Sequence, residues 1–399
     1  MKCAKRTVSG CALFMSLASL VLTISCGNSS SGGTGPPTFS FQLLYSFTEV
    51  ADGGIPLAGV IVDPKGNIYG TTYGGGVGAG VVFKLDPSGS ESVLYTFQGA
   101  ADGGAPVADL VQDAAGNLYG TAAGAGAFGY GVVFKLDPTG KETVLYAFKG
   151  GTDGENPHGG VIRDAAGNLY GTTEGGGSGG AGTVFKLDSS GNETILHSFA
   201  GPDGSLPITD LVQDAAGNLY ATTFEGGNYA GLCLQIAGCG VVYKVDTMGN
   251  FTLLHSFSGP DGEMPFTGLT LDSQNNLYGT TTIGGPTNNG VIFKIDASGN
   301  ETTIYGFMGG ADGAMPYGGM VLDSAGNLYG TARNAGDAPA PFGDGVMFKL
   351  DTAGKLTVLH TFNGTDGVWP STTLARDSAG HLYGTAGGGV EGLGVVFKL

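Results

Sequence analysis

The chain is short of charge, cysteine, tryptophan and histidine, and each shortage removes a class of function. Only 13% of its 399 residues are charged, with 17 Lys and Arg against 34 Asp and Glu. So few cations cannot follow a phosphate backbone or an anionic membrane face, and nucleic acid is excluded as an expected partner. The five cysteines and five histidines show no zinc-ligand spacing, and the glycine runs lack the Lys-Ser/Thr of a phosphate loop. No helical period runs through the chain, and the apolar stretch from Val8 to Ile24 is broken by Ser9, Gly10, Ser16 and Ser19, too short for a membrane span. Disorder is equally disfavoured, because 41% of the residues are hydrophobic and regularly spaced.

Glycine, by contrast, is abundant at 78 residues, and a phrase is repeated. Gly116-Asn117-Leu118-Tyr119-Gly120-Thr121 has near copies marked by Tyr69, Tyr170, Tyr220, Tyr278, Tyr329 and Tyr383, the seven tyrosines being spaced 50, 51, 50, 58, 51 and 54 apart. A period near fifty without helix predicts an all-β, seven-bladed β-propeller with four antiparallel strands per blade. In one copy, Asp109 to Gln112 reads as a short inner strand and Asp113 to Asn117 as a tight turn in which Gly116 takes positive φ. Leu118 to Thr121, Val132 to Leu136 and Thr143 to Phe148 supply the other three strands. An Asp-Gly-x-x-Pro corner, such as Asp153 to Pro157, leads to the next blade, since Pro suits the approach to an inner strand. The two ends are offset from the blade boundary. Pairing a strand at 43–47 with one at 395–399 completes the seventh blade and removes two orphan edges.

Twenty of the 34 acidic residues fall at turn positions of the repeat, so the net charge of −17 is mainly turn chemistry. Lys2, Lys5 and Arg6 followed by the Val8–Ile24 stretch read as an export signal over residues 1–25. Leu22 to Cys26 is similar to the lipobox of bacterial lipoproteins, which makes Cys26 the expected lipidation site, although Thr23 stands where Leu is usual. Residues 26–40 are a polar tether and 41–399 the propeller. An outer-membrane or cell-surface lipoprotein is the expected address, with secretion or a periplasmic place after cleavage as the alternative. Cys233 and Cys239 share one loop and are expected to form a disulfide.

The phrases Leu-Tyr-Gly-Thr-Thr, Val-Phe-Lys-Leu-Asp and Leu-His/Tyr-Ser-Phe, repeated over residues 41–399, resemble the GloVer tandem-repeat family of exported bacterial proteins. The resemblance implies a bacterial exported repeat protein with varied anchors and no settled activity. The looser Asp-x-x-Gly-Asn-Leu-Tyr core is similar in architecture to NHL and streptogramin-lyase-like propellers, without the Asn-Arg pair of NHL repeats.

Residues shared by every blade build the scaffold, so a site is sought where one blade departs from the rest. The third-strand lysines, Lys84 to Lys398, are read as packed stems with ammonium groups near turn carboxylates. His158 follows a corner Pro where other blades carry Leu57, Val107, Ile208, Phe266, Tyr317 and Ser371. Asp109 and Asp210 stand one step further in, in the flanking blades, with Glu155 and Glu174 in loops of His158's own blade and Arg333 in the slot equivalent to Glu174. His158 with Asp109 and Asp210 is the candidate catalytic set, for a divalent metal or for a base of lyase or lactonase type. The blander reading is a polar channel rim. Tyr73, Phe128, Tyr130, Phe224, Tyr229, Phe266, Tyr317, Phe342 and Trp369 are assigned to the same face, where flat rings suit carbohydrate or peptide, although at least half are expected to fill gaps under loops. The favoured reading is a non-enzymatic, monomeric scaffold without cofactor that binds carbohydrate or protein through Glu155, Glu174, Arg333, Tyr317, Phe266 and Trp369. It touches a membrane only through its lipid. An exported lyase or lactonase is the alternative.

Overall fold

The computed structural model describes residues 39–48, 51–229, 233, 237–334 and 343–399. The signal at 1–25, Cys26, the tether up to Thr38, and Phe342 lie outside the described residues. The turn of each repeat shows why the chain folds as it does. Asp113 accepts the N–H groups of Ala115 and Asn117 on Oδ1, both at 2.9 Å, and Asn117 Nδ2 and the Tyr119 hydroxyl on Oδ2, at 2.8 and 3.0 Å. One carboxylate thus closes a hairpin and ties down the next strand. Partial burial works to raise its pKa, but the bonds from Asn117, Tyr119 and Ala115 outweigh it, and the carboxyl sits below its usual range. In the last copy His381 Nδ1 takes the place of the Asn amide, 2.8 Å from Asp377.

These hairpins build seven four-stranded antiparallel sheets, one after another. We number the blades from the one that begins at Ile61–Val62. Blade seven is assembled from both parts of the chain. Gln42–Ser46 lies beside Val395–Lys398, with Gln42 opposite Lys398 and Ser46 opposite Val395. A threonine hydroxyl on the second strand reaches a backbone carbonyl of the next blade in six places: Thr71, Thr121, Thr172, Thr222, Thr280 and Thr385. The Thr385 bond to Ala58 O, 2.8 Å, crosses from blade seven to blade one and closes the ring.

The core lies between blades. A fully buried Phe that ends each outermost strand stands edge-on to the third-strand ring of the following blade, with centroids 5.0 to 5.3 Å apart at all seven seams. Burying such a ring is worth about 1.5–3 kcal/mol, and the edge-to-face pair about 0.5–1.5 kcal/mol more. A Cβ at Gly279 would stand 2.4 Å from Phe293 Cζ, so the second-strand glycine makes room for the ring.

One detail differs from the sequence reading. Each innermost strand pairs over two residues only, for example Val111–Gln112, because the residues before it bond across to neighbouring blades. The third-strand lysines place their ammonium groups 5.4 to 5.9 Å from the ring centroids of the second-strand tyrosines, and Lys84, Lys186, Lys244 and Lys294 stay near enough to the turn carboxylates of Asp86, Asp188, Asp246 and Asp296 for their charge to favour the ionised form. Tyrosine offers a cation a flat face at the strand surface.

At the outer rim each seam repeats a three-part contact. A Tyr or His of the outermost strand binds the Asp of the Asp-Gly turn, as Tyr95 binds Asp102 at 2.9 Å, and the outermost strand of the next blade supplies the third side chain. Where that side chain is Glu91, Glu142 or Glu193, its carboxyl is half-buried beside Asp52, Asp102 or Asp153. Burial first, and then the neighbouring charge, push it up to about 7. In each, one oxygen is buried without a hydrogen-bond partner, as a neutral carboxyl tolerates better than an ion. A folded pKa above the ordinary 4.5 means that the unfolded chain releases these protons first. Their stabilisation is full below about pH 4.5 and is lost as pH rises through about 7. The melting temperature is therefore expected to fall between pH 5 and pH 8, and the triple variant Glu91→Gln, Glu142→Gln, Glu193→Gln to flatten that fall in calorimetry.

Candidate functional site

The face that carries the corners and the loops between second and third strands owes its shape to the residue before each corner proline. Ile55, Ala105, Asn156, Leu206, Met264, Met315 and Trp369 all have φ between 51° and 57°. A residue before Pro prefers an extended backbone, and a left-handed one costs on the order of 1–3 kcal/mol. Main-chain bonds hold it there: Trp369 N–H donates to Asp344 O at 2.8 Å and Ile55 N–H to Leu393 O at 2.6 Å, both across to the preceding blade. Its side chain is thereby lifted onto the face, and Ile55 and Trp369 are each 48% exposed. The sequence reading found the proline corners and overlooked this position. The one available signal was its variety from blade to blade.

Five of the sequence-derived candidates meet on this face. Phe224 stands edge-on to Phe266 at 5.7 Å, and Phe266 lies 4.9 Å from Tyr317. The Arg333 guanidinium sits 4.9 Å from the Tyr317 ring and 5.7 Å from Trp369. The result is a continuous arc of rings and one cation across blades four to seven. Between Trp369 and blade one lies a pocket of about 220 Å³, walled by Ile55, Leu57, Leu393, Ser371 and Arg333. Tyr73, Phe128, Tyr130, Tyr229, Phe266 and Trp369 are exposed, so most of these rings are displayed and do not fill gaps beneath loops.

His158, Asp109 and Asp210 line the mouth of the central channel beside Phe266 and Tyr317, yet each is committed to a separate partner. His158 Nε2 pairs with Glu174 at 3.2 Å, both side chains partly exposed. Asp109 accepts the Gly59 N–H of the preceding blade at 2.6 Å, and Asp210 likewise accepts that of Gly160 at 2.5 Å. A Cβ at Gly59 would stand 3.0 Å from Asp109 Oδ1, and one at Gly160 the same distance from Asp210 Oδ1, so carboxylate and glycine occupy one shared space. Among the described residues, these three do not come together as a metal-binding group. Glu155 lies along Gly175 in blade three and takes no part in the arc's ring contacts. Both aspartates keep some solvent contact through the channel while protein surrounds them. Burial, and then the charge of Asp210, push Asp109 up to about 8, and burial raises Asp210.

Cys233 and Cys239 are joined, with Cα atoms 5.0 Å apart, and pack against Phe257 and Leu269. The disulfide therefore anchors the blade-four loop to the core.

The sequence matches the family model described as Gloeobacter/Verrucomicrobia repeat over residues 18–234, 231–339 and 302–399. No curated protein matches it. Among solved structures it is similar to a puromycin-hydrolyzing peptidase of Mycobacterium tuberculosis, with 14% identity, a TM-score of 0.56, and 88% of this chain and 53% of that one covered. It is also similar to an extracellular domain assigned to a hybrid two-component system of B. thetaiotaomicron, with 11% identity, a TM-score of 0.55 and 89% and 39% covered. The chain thus spans about half or less of those two proteins. A gluconolactonase of Xanthomonas campestris matches at 17% identity and a TM-score of 0.42, over 71% of this chain and 82% of that one. At such identities the first two likenesses concern the fold alone, and the third carries no argument.

Asp109→Asn keeps an acceptor for Gly59 N–H and removes the charge. The raised carboxyl stabilises the fold below the ordinary range near 3.8 and loses that contribution as pH rises through about 8. The variant should be more stable than the parent at pH 9 in denaturant unfolding. Asp109→Ala, which orphans the N–H, should be less stable than Asp109→Asn by about 1–3 kcal/mol.

Proposed function

The chain belongs to the Gloeobacter/Verrucomicrobia repeat family, and from that premise we propose that it is an exported, lipid-anchored binding scaffold without catalysis of its own, whose loop face takes a carbohydrate or protein ligand. The observation that carries this reading is Arg333 set against Tyr317 and Trp369 beside an open apolar pocket of about 220 Å³. Flat exposed rings give large contact area at little entropic cost, and a guanidinium among them supplies donors in a fixed plane. Sugars and peptides both present apolar faces edged with acceptors. The basic start, the apolar stretch and Cys26 support export and anchoring, and the polar residues up to Pro37 would hold the propeller off the membrane.

A second reading, an exported lyase or lactonase, rests on the raised Asp109 and Asp210 carboxyls at the channel mouth. It is the weaker one, because His158 is drawn to Glu174 and both aspartates are held by backbone donors.

The full chain, screened on glycan and peptide arrays, is expected to retain a defined ligand class. Trp369→Ala should lower its affinity by about thirtyfold or more, the usual loss for a central aromatic anchor. Arrays that stay blank for the parent protein, or that read the same for the variant, sink the proposal. Turnover of a lactone panel that disappears in Asp109→Asn and Asp210→Asn would favour the second reading.

A further inference from the structure

The seven outer seams differ in a way that singles out one of them. In three, a Tyr–Asp pair meets a Glu of the next blade, so two carboxyls face each other and the pair itself supplies no imidazole. In two, a His–Asp pair meets a Phe that lies flat on the imidazole: Phe251 on His197 at 4.0 Å and Phe41 on His360 at 3.6 Å. In the seam that begins with Tyr305 and Asp312, the third side chain is Leu356. The seam between blades four and five alone combines both polar partners. There His255 Nε2 is 2.9 Å from Asp261 Oδ2, Phe257 meets the imidazole edge-on at 4.8 Å while no ring lies flat on it among the described residues, and Glu301 supplies the third side chain.

We propose that His255, Asp261 and Glu301 form a binding site for a divalent first-row metal ion, which clips blade four to blade five at the rim. One donor atom from each lies within 4.8 Å of the other two. Two ligands on a single zinc, at about 2.0–2.2 Å each, stand roughly 2.9–3.5 Å from one another, and the His255–Asp261 separation of 2.9 Å falls in that interval. The Glu301 carboxylate completes a triad by a side-chain rotation, and water fills the remaining positions. One imidazole with two carboxylates suits zinc or manganese better than calcium or magnesium, which prefer oxygen throughout. His255 and Asp261 are 21% and 23% exposed, enough for an ion to enter from solvent while the two blades hold the ligands in place. Ser258 fixes Asp261 through its N–H, 2.8 Å, and its hydroxyl, 2.9 Å, both on Oδ1, and leaves Oδ2 directed at His255.

The sibling seams guide the variants: H255Y copies the Tyr–Asp–Glu seams, and E301L takes over the third side chain found at Leu356. Zn2+ titrated into the untagged full chain in a calorimeter should bind one ion per chain and raise the melting temperature with concentration, while Ca2+ at the same concentrations does neither. H255Y and E301L should each weaken Zn2+ by at least about 10–100-fold, the range for loss of even a supporting partner. Glu301→Gln, which keeps the shape and removes the charge, should give the same loss and guards against misfolding in the other two. Zinc bound equally well by all three variants, or no stoichiometric zinc in the parent, would overturn the proposal.

Discussion

Everything in this fold depends on one antiparallel pairing, that of Gln42–Ser46 with Val395–Lys398. A four-stranded blade is apolar on both faces and is stable only between two others. Without this pairing blade seven would lack its outermost strand, and blade one would lose the Phe47 ring that packs on Phe83. The Thr385 bond to Ala58 spans the same junction nearer the axis. The ring is thereby locked at two radii, and the channel mouth, the arc and the rim seams keep fixed spacing because of it.

The same repeat chemistry explains what could be read in advance. Asp-x-x-Gly-Asn fixes a turn by local hydrogen bonds, so the seven hairpins, the four strands and the offset ends were legible in the residues themselves. That Tyr317, Arg333 and Trp369 share a face was legible as well, since equivalent positions in a repeat must do so, whereas their contacts with one another emerged only in the structure. The positive φ at Ile55 and its six equivalents was not, because it depends on main-chain bonds from the preceding blade that leave no mark in local composition. For the same reason the sequence placed His158, Asp109 and Asp210 at the mouth but could not show where each would bond. Glu174, Gly59 and Gly160 decide that, and the two glycines carry no side chain to announce themselves.

Polar groups in this protein divide by radius. Near the axis, the Asp109 and Asp210 carboxyls seal the space left by glycines of neighbouring blades. At the rim, acids and imidazoles decide how firmly one blade holds the next, and their identities vary from seam to seam. The scaffold is constant in its rings and turns, while its electrostatics are set locally, so charge can change at one seam with little effect on its neighbours.

The strained corner separates display from construction. Its backbone is held by amides and carbonyls alone, and so it accepts Ile, Ala, Asn, Leu, Met or Trp with the same geometry. Evolution, or a protein engineer, is thus handed a circular panel of seven slots, in which the side chains shown to solvent can be rewritten one by one while the sheets beneath stay untouched.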